Sequence, residues 1–129
     1  MQRSHSYKHL QTPVMGRVLQ LNKYVYQQVE NVSRIIRFTY YQDILQKCCT
    51  LNAYALRMVK GKDYGKRICE LGEEIIAQAH LVHGIGGWSR KVSINICAMT
   101  EDIISQAFAL ANGRNLSKSK DKKGDDGEN

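Results

Sequence analysis

A chain of 129 residues and 14.7 kDa has room for one hydrophobic core and hardly for two. Its 43% hydrophobic content suits a folded domain, a single proline argues against a loop-rich or all-β chain, and no apolar run reaches the roughly eighteen residues a membrane span needs. A net charge of +7 favours an anionic partner, whether nucleic acid, an acidic protein face or an anionic surface.

Residues 1–12 read as an N-terminal arm. Met1-Gln2-Arg3-Ser4-His5 carries no apolar signal stretch, so a cytoplasmic protein is expected. Thr12-Pro13 then predicts a helix start, with Thr as N-cap and Pro where its missing N–H costs nothing. Val14, Val18, Leu21, Val25, Val29 and Val32 follow at helical spacing and form one stripe. Thr39-Tyr40-Tyr41-Gln42 fits a capping box. Behind it, Tyr41, Ile44, Leu45, Cys48, Leu51, Ala55, Met58 and Val59 make a second stripe that Gly61 stops. Asp63 is the expected cap of a third helix, striped by Tyr64, Ile68, Leu71, Ile75, Ala79 and Val82 and broken at Gly84-Ile85-Gly86-Gly87. Trp88, Val92, Ile96, Met99, Ile103, Ala107 and Leu110 make the fourth, with Gly113 just past its end. Residues 114–129 hold Leu116 as their one apolar side chain and read as a disordered polar tail. Four long helices with short connections predict an all-α, up-and-down antiparallel four-helix bundle over residues 13–113.

Several apolar residues fall off these stripes: Leu19, Tyr26, Ile35, Ile36, Leu56, Ile76, Ile94, Ile104 and Phe108. They fit either a wide apolar face or a second buried surface, and the surplus favours self-association or a docked partner. Cys48, Cys49, Cys69 and Cys97 all lie within periodic segments, two of them adjacent, and read as reduced, buried, small apolar residues.

Constellations for catalysis are sparse. No Glu-x-x-His of a di-iron bundle occurs. Glu70 and Glu74 with Lys66 read as a solvated face, and His80 with His83 as a helix end in preference to zinc ligands. Gly84-Ile85-Gly86-Gly87-Trp88-Ser89 has no strand before it. Gly61-Lys62-Asp63-Tyr64-Gly65-Lys66-Arg67 is one residue short of a P-loop and lacks the Ser/Thr that holds magnesium. No catalytic residues, metal ligands or cofactors are therefore assigned, and a non-enzyme is expected.

The charge is uneven. Residues 1–69 carry twelve Lys or Arg against three acids, whereas residues 70–113 carry two against five. Arg34 and Arg37 flank the first turn, and Lys60, Lys62, Lys66 and Arg67 flank the second. Arg17, Lys23, Lys47 and Arg57 are expected to join them along the helices, while Arg90 and Lys91 open the fourth helix, where the macrodipole disfavours cations. Tyrosines 24, 26, 40, 41, 54 and 64 are interleaved with the basic half, a mixture that suits phosphate contact with stacking and equally a protein interface. The candidate binding set is Arg34, Arg37, Lys47, Arg57, Lys60, Lys62, Lys66, Arg67, Arg90 and Lys91.

The stretch Val29-Glu30-Asn31-Val32-Ser33-Arg34-Ile35-Ile36-Arg37-Phe38-Thr39 resembles the first helix–helix turn of the accessory variability proteins of diversity-generating retroelements. The matched features are Arg37-Phe38-Thr39 at the start of the second helix and the basic Arg34 before it. Met58 to Arg67 and the apolar run Ile68 to Leu81 resemble the family's later helices, and the likeness spans roughly residues 14–112. The resemblance implies a homopentameric basic barrel of four-helix protomers. It also implies binding to a reverse transcriptase and its template RNA in support of mutagenic complementary-DNA synthesis, with no catalytic site and no membrane contact. The alternatives are a basic helical adaptor docking on an acidic protein, or a bundle of the type encoded in ribosomal-RNA intervening sequences. The Asn-Ile-Ala-Glu-Gly segment typical of the latter does not occur here.

Overall fold

The spacing of apolar residues is realised as helix. In the computed structural model, residues 8–126 are described, the side chains as far as residue 113, and no strand occurs among them. The α-helices are α1 (Pro13–Gln27), α2 (Arg34–Arg37), α3 (Tyr40–Val59), α4 (Gly65–Gly84) and α5 (Arg90–Asp126), with a 3-10 turn at Val29–Asn31. The four long helices pack in a closed ring in the order α1, α3, α4, α5, each against two neighbours. Consecutive members of the ring run antiparallel. Residues near the end of α1 meet the start of α3, where the Tyr41 hydroxyl donates to Val25 O at 2.7 Å, and residues near the start of α4 meet the far part of α5, where Gly65 faces Ala111.

The predicted stripes point inward, except that Leu110 at the end of the fourth is exposed. Val18, Leu21, Val25, Ile44, Leu51, Ile68, Ile75, Ile96 and Ile103 are fully buried, each such side chain contributing about 1.5–3 kcal/mol of transfer free energy. Between α4 and α5, a Cβ on Gly72 would lie 2.6 Å from the Ile104 side chain, so the glycine leaves room for that isoleucine. Gly61 ends α3 as expected: its φ of +103 lets the chain turn back, with Gly61 N–H on Met58 O and Lys62 N–H on Arg57 O.

Four local expectations are corrected. The first helix stops at Gln27 instead of running through Val32, because the Tyr41 hydroxyl takes the Val25 carbonyl, with Tyr26 O 3.1 Å away, and the chain turns through the 3-10 segment. Val32 is nevertheless buried and Val29 packs on the core, so the stripe outlives the helix. The Thr39 capping box does not form, since its hydroxyl donates back to Ile35 O at 2.6 Å, and Ser33 caps α2 instead by accepting from Ile36 N–H. Asp63 caps nothing; Tyr64 is the N-cap position of α4 and offers no side-chain bond. Gly113 does not end the last helix, which has no positive φ there and continues to Asp126 through the segment read as a tail. The N-terminal arm lies outside the described residues through position 7.

Buried cysteine is correct for Cys48 alone. Cys69 and Cys97 are half-buried and Cys49 is exposed, all four as free thiols. Burial pushes the Cys48 thiol up to about 12. No helix among the described residues is long and apolar enough to cross a membrane.

Candidate functional site

Because the ring is antiparallel, the basic residues near helix ends fall into two groups. They are separated by the length of α3, 20 residues or about 30 Å at the helical rise. Arg57, Lys60, Lys62, Lys66 and Arg67 gather at the α3–α4 turn. Arg34, Arg37, Arg90 and Lys91 lie at the opposite end, on α2 and the start of α5.

The first group is organised around Tyr64. Its ring takes the Arg67 guanidinium at 4.8 Å and the Arg57 guanidinium at 5.6 Å from the ring centre, and Tyr54 tilts against it at 5.3 Å. Such contacts hold long side chains in place and are worth about 0.5–1 kcal/mol each at exposed sites. Arg57, Lys60, Lys66 and Arg67 are exposed, and none of the four takes part in a salt bridge among the described residues. The only acid in the connection is Asp63. The result is an exposed cationic surface with a half-buried tyrosine at its centre, suited to phosphate oxygens with a base edge or face against the ring. Nearby, between the start of α1 and α5, an apolar cleft of about 520 Å³ is lined by Pro13, Val14, Val59, Ala109 and Leu110.

The second group sits on a different background. Arg34 lies 6.0 Å over the Phe38 ring, and Arg37 reaches inward, its Nη2 donating to Val32 O at 3.4 Å. Arg37 Nε is buried without an acceptor, as is the Nε1 of Trp88, whose residue is 3% exposed. A buried donor left unpaired costs about 1–3 kcal/mol. Trp88 stacks edge-on against Tyr41 at 6.0 Å, and α2 closes over this corner, with Ile36 Cδ1 3.2 Å from where a Gly87 Cβ would stand. Burial raises the Tyr41 phenol to about 12.

Of the residues expected to join the groups, Arg57 belongs to the first and Lys23 is exposed on α1, whereas Lys47 and Arg17 are paired with acids. Lys47 is half-buried and paired with Asp43 at 3.3 Å and Glu74 at 3.4 Å. Desolvation lowers its pKa, the bonds to Asp43 and Glu74 outweigh that, and the net shift is upward. Arg17 is paired with Asp102 at 2.9 Å, and the Gln106 amide, turned with its oxygen toward the guanidinium, accepts from Arg17 Nε at 2.8 Å. The flank between the ends is thus partly neutralised. It is also tied across the helices: Gln78 Nε2 donates to Asp43, Asn22 Nδ2 to Cys48 O at 3.2 Å, Ser93 Oγ to Ala79 O at 3.3 Å and Asn95 Nδ2 to the Tyr24 hydroxyl at 2.9 Å.

The histidines find local partners. His83 Nδ1 lies 2.9 Å from Trp88 O, which makes that nitrogen the donor, and His80 Nε2 lies 3.9 Å from Cys97 Sγ. No group of three or more potential metal ligands occurs among the described residues.

Sequence reasoning placed Tyr64 in a core stripe and did not single it out as a hub. The available signal was Arg57 and Arg67 on either side of a tight, Gly61-containing turn with the tyrosine between them. No protein-family model, no curated protein and no solved structure matches this chain.

Proposed function

We propose that this chain is a non-catalytic, RNA-binding accessory protein that works in the cytoplasm and grips the phosphate backbone with the Tyr64 end of a four-helix-bundle protomer. The observation that carries the reading is the pair of guanidinium groups held on one tyrosine, surrounded by further cations and almost no acid. Arg and Tyr in that arrangement serve backbone contact and stacking with little base readout. The resemblance at residues 29–39 extends the proposal. The RNA is the template of a diversity-generating retroelement, the protein partner is its reverse transcriptase, and the protomers assemble as a homopentamer. The exposed Leu19 and Phe108, which the core does not take up, support a further contact between copies.

The test is fluorescence anisotropy of a labelled structured RNA across a salt series. Affinity is expected to fall steeply with salt, with a shallower slope and about a hundredfold weaker binding in Arg57→Glu/Arg67→Glu. Salt-independent binding, or an unchanged affinity in that variant, overturns the reading.

A further inference from the structure

The opposite end carries a more apolar surface. Ile35 is 77% exposed and Phe38 58%, and Tyr26, Tyr40, Leu81 and Ile85 are exposed beside them on α1, α2, α3 and the end of α4. Most of the exposed large apolar side chains described in this chain lie at this end. Exposed apolar side chains with arginines among them are the composition of a protein-docking surface.

The charge says what kind of protein. Arg34, Arg37, Arg90 and Lys91 lie at this end, Arg90 and Lys91 in a first helical turn that contains no acid, and the positive N-terminus of α5 adds to them. Glu30 is the one exposed acid on the connecting segment from residue 28 to 39. A partner that is apolar on one side and carboxylate-bearing on the other meets both conditions at once.

We infer that the Trp88 end is a docking surface for an acidic amphipathic helical segment of another protein. Its apolar side chains lie on Ile35, Phe38 and Ile85, and its carboxylates on Arg34, Arg90 and Lys91. This is independent of the RNA reading, which rests on the other end.

The experiment titrates the full chain with a helical peptide of about 16 residues, leucine on one face and glutamate on the other. It follows the emission of Trp88, the chain's single tryptophan, together with the anisotropy of the labelled peptide. Saturable binding with a shifted Trp88 emission is expected. Phe38→Asp and Arg34→Glu should each weaken it about tenfold, as should scrambling the peptide or replacing its glutamates by lysines. Arg57→Glu/Arg67→Glu should leave peptide affinity unchanged while RNA binding weakens about a hundredfold. Absence of saturable binding, or equal binding of the scrambled peptide, overturns the proposal. So does a light-scattering mass that drops to the monomer in Phe38→Asp, which would give the surface to a second copy, and so does a loss of RNA affinity in Ile35→Asp as large as that in the Arg57/Arg67 variant.

Discussion

The two ends of the helical ring carry similar numbers of cations and use tyrosine in opposite ways. At the α3–α4 turn, Tyr64 is half-buried, its ring a support for Arg57 and Arg67. At the other end, Tyr41 is buried, and its hydroxyl holds the last carbonyls of α1. One ring presents charge to the outside, and the other substitutes for a helix turn inside. A basic, tyrosine-rich composition therefore does not define one surface. What matters is whether the aromatic group faces a guanidinium or a carbonyl.

The sharpest way to break the contrast is to reverse charge at each end in turn. Arg57→Glu/Arg67→Glu is expected to weaken RNA binding about a hundredfold, and Arg34→Glu/Arg90→Glu by only a few fold, measured by anisotropy at constant salt. Equal losses would mean that both ends serve the same ligand. Next in size is the pair of hydroxyl deletions. Tyr41→Phe removes the hydroxyl bond and leaves the Val25 carbonyl only the Gln28 N–H, which should cost about 0.5–1.5 kcal/mol in urea unfolding, whereas Tyr64→Phe keeps its ring contacts and should cost almost nothing.

Alkali should weaken the fold through two buried groups. The Tyr41 phenol and Cys48 thiol are both raised by burial, so their protonated forms belong to the folded state. The unfolded chain releases these protons first. The stability they contribute is complete below the ordinary thiol value of 9.0 and is lost as pH rises toward about 12. Thermal midpoints followed by circular dichroism should therefore decline across that interval, and Tyr41→Phe should decline less steeply. The smallest effect is expected on the flank. Arg17→Ala removes an exposed pair with Asp102 and should change stability by less than about 1 kcal/mol, without altering either ligand's affinity.

The helical core was legible because period survives local irregularity. Val29 and Val32 keep their place against the core although α1 ends at Gln27. That same persistence hid the break, which depends on a tyrosine hydroxyl fourteen or more residues downstream. Caps were misread for a related reason. Thr39 and Asp63 have cap chemistry, but a hydroxyl within reach of Ile35 O bonds there, and a turn closed by Gly61 needs no side chain. Among the candidate site residues, sequence identified the cations and their clustering at joints. It did not show that Lys47 faces Glu74 across two helices, or that the exposed apolar residues concentrate at the end bearing Arg34 and Arg90.

The amide and hydroxyl bonds across the helices have a mechanical consequence. Asn22 on Cys48 O, Gln78 on Asp43, Ser93 on Ala79 O and Asn95 on Tyr24 each join a different pair of neighbours in the ring. Sliding any helix by one turn would strand several of these groups at once. The body therefore behaves as a strut of fixed length, and whatever is seated on Tyr64 is kept about 30 Å from whatever rests above Trp88.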